Sequence, residues 1–184
     1  MKRVVILFSK EGSNMENIIK KLHPHKIFVV AVITNNPKAR GIAKAKALGI
    51  NTVILNHKEF DSREKFDEKL VEIITGFDVD LTILAGFMRI LTPIFTSRIK
   101  AINIHPSLLP AFKGANALKR SYESDQAKVG VSTHFVTDEL DGGKIIMQKS
   151  FDKSGMSFEE FEKKIHECEH EIYPLSVLKA LDLE

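Results

Sequence analysis

Residues Val4 to Phe8 of this chain read VVILF, and residues Ser9 to Asn14, which read SKEGSN, follow them directly. A short apolar run that is rich in β-branched residues and bounded by polar ones predicts a buried β-strand. The amphipathic segment from Met15 to Leu22 comes next and predicts a helix. A buried strand, a polar turn and a helix make one βα unit of a parallel sheet that is covered on both faces.

The same alternation continues through the first half of the chain. Apolar runs predict three further strands, at Phe28 to Thr34, Thr52 to Leu55 and Leu81 to Ala85. Amphipathic stretches predict two further helices, at about Gly41 to Leu48 and Arg63 to Thr75. Ser62 is placed as an N-cap, and Gly49 and Gly76 are placed as C-caps. The expected fold is therefore α/β, with a Rossmann-like, mostly parallel sheet flanked by helices.

From Ala101 onward the pattern changes. A strand is predicted at Ala101 to His105, and Pro106 and Pro110 make the segment after it non-helical. Two more strands are predicted at Gly130 to Val136 and Lys144 to Lys149. The turn-rich residues 137–143, TDELDGG, join these two strands, which are therefore expected to be an antiparallel or mixed addition to the sheet.

A long C-terminal helix is predicted at about Ser157 to Leu181. Ser157 and Glu160 have the spacing of a capping box, which satisfies two free backbone N–H groups at the start of a helix. Pro174 lacks a backbone N–H and is expected to end or kink this helix.

The composition indicates an ordinary globular protein with a single domain over residues 1–184. Its 27 Lys and Arg residues against 24 Asp and Glu give a formal net charge of +3, with both signs scattered along the chain. Nucleic-acid binding is therefore not expected. The single cysteine, Cys168, cannot form an internal disulfide, which indicates a reducing cytoplasm. No apolar run is as long as a signal-peptide core or a membrane span, so we expect no membrane association.

The first candidate site is the turn between the first strand and the first helix. Gly12 allows close approach to the backbone, Ser13 and Asn14 offer hydrogen-bond donors, and a helix N-terminus favours an anion. The turn therefore predicts a phosphate cradle. It has one glycine where a dinucleotide fingerprint needs three, and it is not a Walker A loop. The alternative is that Ser13 and Asn14 only cap the helix.

The second candidate is the pair Asn103 and His105. Residues two apart on a strand share a face, so both side chains project the same way, and the small Ala101 leaves room beside them. Pro106 ends the strand there, and ligands of open α/β sheets bind beyond the carboxyl ends of the strands. The alternative is that His105 is a structural histidine.

The third candidate is Asp141, provided that residues 137–143 fold back over His105. A carboxylate beside an imidazole favours the protonated ring and suits acid–base chemistry. The alternative is that Asp141 and Gly142 form an ordinary turn dipeptide.

Residues His166 to His170 read HECEH and match the H-E-x-x-H pattern of zinc peptidases. Only residues 171–184 follow, and none of them is a histidine that could be the third ligand. We expect instead a polar helix face, with Glu167 and Glu169 as solvated charges. The two glutamates are expected to raise the pKa of Cys168, which would make it a poor nucleophile.

Six stretches taken together resemble a known family. They are Glu11 to Asn14 (EGSN), Phe60 to Glu64 (FDSRE), Leu84 to Leu91 (LAGFMRIL), Asn103 to Pro110 (NIHPSLLP), His134 to Gly143 (HFVTDELDGG) and Glu169 to Pro174 (EHEIYP). The fourth and fifth are similar to formyltetrahydrofolate-using transferases in general. The Gly-Ser-Asn turn narrows the resemblance to the phosphoribosylglycinamide formyltransferases. The resemblance extends from residue 4 to about residue 175.

This resemblance implies a folate-dependent enzyme of purine synthesis. It would transfer the formyl group of its cosubstrate, 10-formyltetrahydrofolate, to the amine of glycinamide ribonucleotide, without a metal and as a monomer or homodimer. It implies a phosphate-binding half at residues 1–100 and a catalytic, folate-binding half at residues 101–184. Asn103 and protonated His105 would stabilise the tetrahedral oxyanion, and Asp141 would keep His105 charged and oriented.

The resemblance also implies binding residues. The substrate phosphate would lie on Gly12, Ser13 and Asn14, and the ribose hydroxyls would lie on Glu169. The folate would contact Met88, Arg89, Ile90, Leu91 and Asn103. Arg63 would lie near the glutamate tail of the folate, and Asp138, Glu139 and Leu140 would lie around its pterin ring.

Two features depart from the family pattern. Residues Phe112 to Leu118 read FKGANAL where many members have a Pro-Gly-Leu-His type of segment, so any histidine used there is absent. Glu11 places a carboxylate beside the expected phosphate, which is unfavourable unless it faces solvent or pairs with Lys10.

Four other classes compete with this interpretation. A transferase that acts on methionyl-tRNA would need an additional RNA-binding domain. A hydrolase that deformylates the folate would use the same catalytic residues without the phosphate turn. A non-catalytic nucleotide-binding module would need the turn but neither His105 nor Asp141, and a zinc peptidase would need a bound metal.

Overall fold

The apolar run that opens the chain forms the third strand across a seven-stranded sheet in the computed structural model, which describes residues 1–183. The strands are β1 (Arg3–Phe8), β2 (Phe28–Thr34), β3 (Thr52–Ile54), β4 (Leu81–Leu84), β5 (Ala101–His105), β6 (Lys128–Phe135) and β7 (Ile145–Asp152). Their order across the sheet is β3-β2-β1-β4-β5-β6-β7. The first five pair in parallel, and β6 and β7 are antiparallel beside β5. The predicted Rossmann-like sheet with an antiparallel addition is confirmed.

Helices connect and cover these strands. They are α1 (Ser13–Leu22), α2 (Gly41–Ala47), α3 (Arg63–Gly76), α4 (Pro93–Thr96), α5 (Ala117–Glu123) and α6 (Phe158–Ala180). The sequence pattern predicts α1, α2, α3 and α6 to within a few residues. It does not predict α4, α5 or a short 3-10 helix at His57–Glu59, because such short elements carry no clear helical periodicity. None of the helices in residues 1–183 has both the length and the apolarity needed to cross a bilayer.

Different helices cover the two faces of the sheet, because alternate side chains of a strand point to opposite faces. In β1, Val4, Ile6 and Phe8 lie in one core with residues of α1 and α6. Val5 and Leu7 lie in a second core with residues of α3 and α4. All five side chains are fully buried. This packing on both faces holds β1 in place, and with it the position from which the turn to α1 starts.

Most of the predicted helix ends are confirmed. Ser62 accepts a hydrogen bond from the Lys65 N–H, and the capping box at the start of α6 is complete. Gly49 follows α2 with a φ of 72°. The prediction for Gly76 is wrong, because α3 includes it and Asp78 takes the left-handed conformation instead, with a φ of 50°. Aspartate tolerates this conformation because its short side chain can hydrogen-bond locally.

Of the two effects expected of Pro174, an end to α6 is wrong, because the helix continues to Ala180, and a kink stays a prediction. A proline at this position leaves the carbonyl of His170, four residues earlier, without its helical donor. Asn17 Nδ2 and Lys21 Nζ of α1 donate to that carbonyl at 2.9 and 3.0 Å. The packing of α1 against α6 thus replaces the lost backbone bond.

Candidate active site

The carboxyl ends of β1, β4 and β5 lie side by side at one edge of the sheet, where open α/β sheets bind ligands. β5 ends at His105 and carries Asn103 and His105 to this edge. Since β6 runs antiparallel beside β5, Asn103 lies opposite His134 and His105 lies opposite Ser132. Ser132 Oγ accepts a hydrogen bond of 2.9 Å from the Leu109 N–H, which fixes the turn after β5.

Asp141 reaches the same place from the link between β6 and β7. Its carboxylate lies 3.5 Å from Nδ1 of His105 and 3.5 Å from Nε2 of His134. It also accepts a hydrogen bond of 2.8 Å from the Gly114 N–H. Asn103 Nδ2 lies 3.4 Å from the same His134 nitrogen. The structure therefore brings Asn103, His105 and Asp141 together, although the first and the last are 38 positions apart in the sequence.

The surroundings keep Asp141 ionised. Burial acts to raise the pKa of Asp141, but the hydrogen bonds from His134 and the Gly114 N–H, together with the charges of His105 and His134, hold this pKa below its ordinary value. A buried carboxylate that stays charged favours the protonated form of an adjacent imidazole.

His105 has an acceptor on each side of its ring. Nδ1 faces Asp141, and Nε2 lies 2.8 Å from the carbonyl oxygen of Phe112. An N–H on either ring nitrogen would therefore face an acceptor oxygen. Phe112 lies in the segment that departs from the family pattern, and its carbonyl accepts the hydrogen bond that a ligand oxygen would need.

His134 belongs to this cluster, yet the sequence reasoning assigns it no role. Its ring is 2% exposed, and its Nδ1 lies 2.9 Å from the carbonyl oxygen of Phe135. The one feature of the sequence that could have pointed to His134 is its position on a predicted strand, two residues after Ser132. Only the register between β5 and β6 places it opposite Asn103, and that register is set by tertiary packing.

The predicted phosphate cradle is a feature of the backbone. Gly12 has a φ of 68° and is the N-cap of α1, and no side chain caps this helix. The alternative that Ser13 and Asn14 cap the helix is therefore wrong, and the first N–H groups of α1 can bind an anion. A Cβ atom at Gly12 would lie 3.1 Å from Cα of Gly41, so the start of α2 packs closely against this turn.

Glu11, beside the cradle, pairs with Arg40 at the N-cap of α2. Its Oε1 lies 3.6 Å from Nη1 of Arg40, and its side chain is 59% exposed. Of the two expected ways to accommodate this carboxylate, exposure to solvent is correct and pairing with Lys10 is wrong. Lys10 is instead bound through its backbone, because its carbonyl accepts a hydrogen bond of 3.0 Å from the Gly41 N–H.

The expectation that Glu169 is a solvated charge is also wrong, since this residue is only 7% exposed. Its carboxylate accepts a hydrogen bond of 3.0 Å from Asn14 Nδ2 and lies 3.3 Å from Nδ1 of His166. The hydrogen bond to Glu169 raises the pKa of His166. Asn14 Oδ1 is buried and has no hydrogen-bond partner within residues 1–183, so it is an available acceptor beside the cradle.

The H-E-x-x-H pattern does not assemble a metal site here. In the part of the chain that the structure describes, no three His, Cys, Asp or Glu side chains are grouped as ligands. The pKa of Cys168 is raised as predicted, but its main cause is burial, and the nearby glutamates contribute less.

Most of the residues predicted to contact a folate lie on loops near this edge, whereas Asn103 is on β5 and Arg63 is on α3. Met88 and Ile90, in the loop before α4, are 64% and 53% exposed, and Leu140 is 54% exposed in the link that carries Asp141. Large apolar side chains exposed in a group are typical of a ligand-binding surface. Leu91 packs partly into the core beside α3.

The polar members of this set have defined neighbours. The guanidinium of Arg89 lies 5.0 Å from the ring centre of Phe66 in α3, and Arg63 is exposed in the first turn of the same helix. Thr96 Oγ1 donates a hydrogen bond to Asp138, and Glu139 pairs with Lys113 at 3.1 Å.

Comparison with known proteins gives a consistent result. Residues 2–177 match the formyl transferase family. The chain is 41% identical to the phosphoribosylglycinamide formyltransferase of Escherichia coli, over 95% of this chain and 84% of that protein. It is 38% identical to the enzyme of the same name from Haemophilus influenzae, over 96% and 86%. The crystal structure of phosphoribosylglycinamide formyltransferase from Campylobacter jejuni superimposes with a TM-score of 0.96 at 55% identity and covers 98% of this chain and 97% of that one.

Proposed function

This chain belongs to the formyl transferase family, among its phosphoribosylglycinamide formyltransferases, and on that ground we propose that it transfers the formyl group of 10-formyltetrahydrofolate to the amine of glycinamide ribonucleotide. The chain is an enzyme of purine biosynthesis. The observation that carries the proposal is the contact between His105 and Asp141, 3.5 Å apart, at the same sheet edge as the uncapped N-terminus of α1.

In the proposed reaction the substrate amine attacks the formyl carbon directly, and a tetrahedral intermediate with a negatively charged oxygen forms. Asn103 Nδ2 and the Nε2–H of a protonated His105 donate hydrogen bonds to this oxygen, which takes the place of the Phe112 carbonyl oxygen that faces Nε2 in this structure. Asp141 stabilises the charge on His105 and fixes its ring. As the C–N bond to the folate breaks, the proton lost by the amine passes to N10 of the folate, through His105 or a water molecule. The products are the formylated ribonucleotide and tetrahydrofolate.

We assign substrate contacts by the same reasoning. The backbone of Gly12, Ser13 and Asn14 would bind the phosphate, because it presents free N–H groups at the positive end of a helix. Glu169 would accept hydrogen bonds from the ribose hydroxyls, next to the free Oδ1 of Asn14. The folate would contact the exposed loop residues described above and Asn103, with Arg63 near its carboxylate tail.

Residues from both halves of the domain would bind each of the two ligands, glycinamide ribonucleotide and the folate. In this assignment the cradle lies in residues 1–100 and the catalytic set lies in residues 101–184. Glu169 joins the cradle from the second half, however, and Met88 and Ile90 would serve the folate from the first. We further propose a cytoplasmic enzyme that needs no metal, nucleic acid or membrane and works as a monomer or homodimer.

The test is to incubate the protein with 10-formyltetrahydrofolate, with and without glycinamide ribonucleotide, and to follow folate absorbance. Consumption that requires the ribonucleotide is the expected result. Equal consumption without it would identify a folate hydrolase, and no consumption in either case would indicate a binding module.

Arg40→Ala is expected to raise KM for glycinamide ribonucleotide about three- to tenfold and to leave kcat unchanged. The variant removes the positive charge that pairs with Glu11, so the Glu11 carboxylate would repel the substrate phosphate. Steady-state kinetics at low and high salt check this, since screening should shrink the effect. Adding Glu11→Gln to Arg40→Ala should restore the original KM. A KM that stays raised in the double variant would contradict the electrostatic explanation.

A further inference from the structure

Asp67 of α3 is a buried carboxylate that the proposed mechanism does not use. It is 1% exposed, and its Oδ2 accepts two hydrogen bonds of 2.7 Å, one from the backbone N–H of Thr92 and one from its hydroxyl. Burial raises the pKa of Asp67, although both Thr92 bonds and the charge of Arg89 oppose that shift. Burying a carboxylate costs free energy unless the carboxylate is hydrogen-bonded, and Thr92 supplies those hydrogen bonds here. The burial of Asp67 in α3 therefore calls for a structural or functional reason.

Thr92 joins the loop of Met88 and Ile90 to the start of α4. It is the N-cap residue of α4, but its side chain makes no capping bond, because its hydroxyl donates to Asp67. Phe66, next to Asp67, contacts the guanidinium of Arg89. Two adjacent residues of α3 therefore hold the loop at Arg89 and at Thr92, just beside its exposed apolar side chains.

The other end of α4 contacts the link that carries Asp141. α4 is a single turn, and the Thr96 N–H donates to the carbonyl of Thr92 at 3.1 Å. Thr96 Oγ1 then donates to the carboxylate of Asp138, three residues before Asp141. The fully buried Phe95 anchors the turn in the core between these two threonines. A continuous path, here named the α4 bridge, thus runs through Asp67, Thr92, Thr96 and Asp138.

We propose that the α4 bridge sets the loop of Met88 and Ile90 and the loop of Asp138 to Asp141 at a fixed separation, and that Asp67, Thr92 and Thr96 are therefore positioning residues for the formyl folate. This inference rests on the proposed function, in which those two loops hold the folate from opposite ends of α4. The phosphate cradle is held separately by β1, α1 and Gly41, so the bridge acts on one substrate and spares the other.

Thr92→Val and Thr96→Val each remove one hydroxyl donor and nearly conserve shape. Each is expected to raise KM for 10-formyltetrahydrofolate about tenfold, the factor for one hydrogen bond to a charged group, with KM for glycinamide ribonucleotide unchanged. Thr92→Ser keeps both donors to Asp67 and should behave like the original protein. The double variant should lose less than the product of the two single effects, because one broken link already frees the loops.

Calorimetric titration with tetrahydrofolate measures the same effect without turnover, and thermal unfolding verifies that each variant is folded. Thr96 is partly exposed, so its variant keeps the test valid even if Thr92→Val proves unstable. Unchanged folate affinity in a folded Thr96→Val protein would overturn the inference, as would an equal rise in KM for both substrates. Failure of the proposed function would look different, since the unaltered protein would then either bind no tetrahydrofolate or consume the formyl folate without the ribonucleotide.

Discussion

Asp141→Asn is expected to slow formyl transfer by about 10²- to 10³-fold in kcat, with folding close to normal. Asparagine keeps the shape of the side chain but removes the charge that faces His105 and His134 at 3.5 Å. Its amide nitrogen would also face an imidazole N–H in place of a carboxylate oxygen. In the proposed mechanism His105 would then lose the negative charge that favours its protonated form, and the oxyanion would lose a charged donor. Steady-state transfer by the purified variant, followed through folate absorbance, measures the loss.

Two further variants make this prediction specific. His105→Ala should be slowed to a similar extent, because it removes the donor itself. Asp152→Asn removes an exposed carboxylate at the end of β7, opposite Lys128 at the start of β6 and away from His134, and should keep the original kcat. A near-original rate for Asp141→Asn would refute the assignment of this carboxylate.

The lowered pKa of Asp141 gives the pH dependence a definite sign. A carboxylate whose pKa is lower in the folded than in the unfolded state stabilises the fold fully above the unfolded value, which is 3.8 here. That contribution is lost as the pH falls through the lower, folded value. Urea unfolding should therefore show that the stability difference between the original protein and Asp141→Asn shrinks as the pH falls below 3.8.

Gly143→Ala is expected to damage both stability and catalysis. A Cβ atom at this position would lie 1.8 Å from the carbonyl oxygen of Phe135. Phe135 cannot move aside easily, because it pairs with Ile102 in β5 and its N–H donates to the carbonyl of Lys144 at 2.9 Å. The link that carries Asp141 would have to shift instead. We expect a loss of about 1–3 kcal/mol in the free energy of unfolding and a fall in kcat on the order of 10²-fold.

Gly142→Ala is the matched control for this change. The three atoms nearest to a Cβ there all belong to the side chain of Glu139, the closest at 2.3 Å, and this exposed side chain can rotate away. Urea unfolding, and kcat measured at saturating folate, should therefore give values near those of the original protein. If both alanine variants behaved alike, the backbone contact at Gly143 would not be what fixes the link.

The local elements of the fold were predictable because the interactions that form them are short-range. The run of Val4 to Phe8, the capping box at Ser157 and the shared strand face of Asn103 and His105 depend on residues that are close in the sequence. Pro174 shows where this reasoning fails. Its helix continues because Asn17 and Lys21, more than 140 residues earlier, bind the carbonyl that the proline leaves free.

The candidate site divides in the same way. The sequence by itself determined the βα turn at Gly12, the pair Asn103 and His105, and the family to which their motifs belong. Only the tertiary structure placed His134 opposite Asn103, buried Glu169 against Asn14, and directed the carbonyl of Phe112 to His105. Helix and strand patterns repeat over a few residues and can be recognised within one segment. Contacts between distant segments depend on strand register and helix packing, which many side chains set jointly and no single motif encodes.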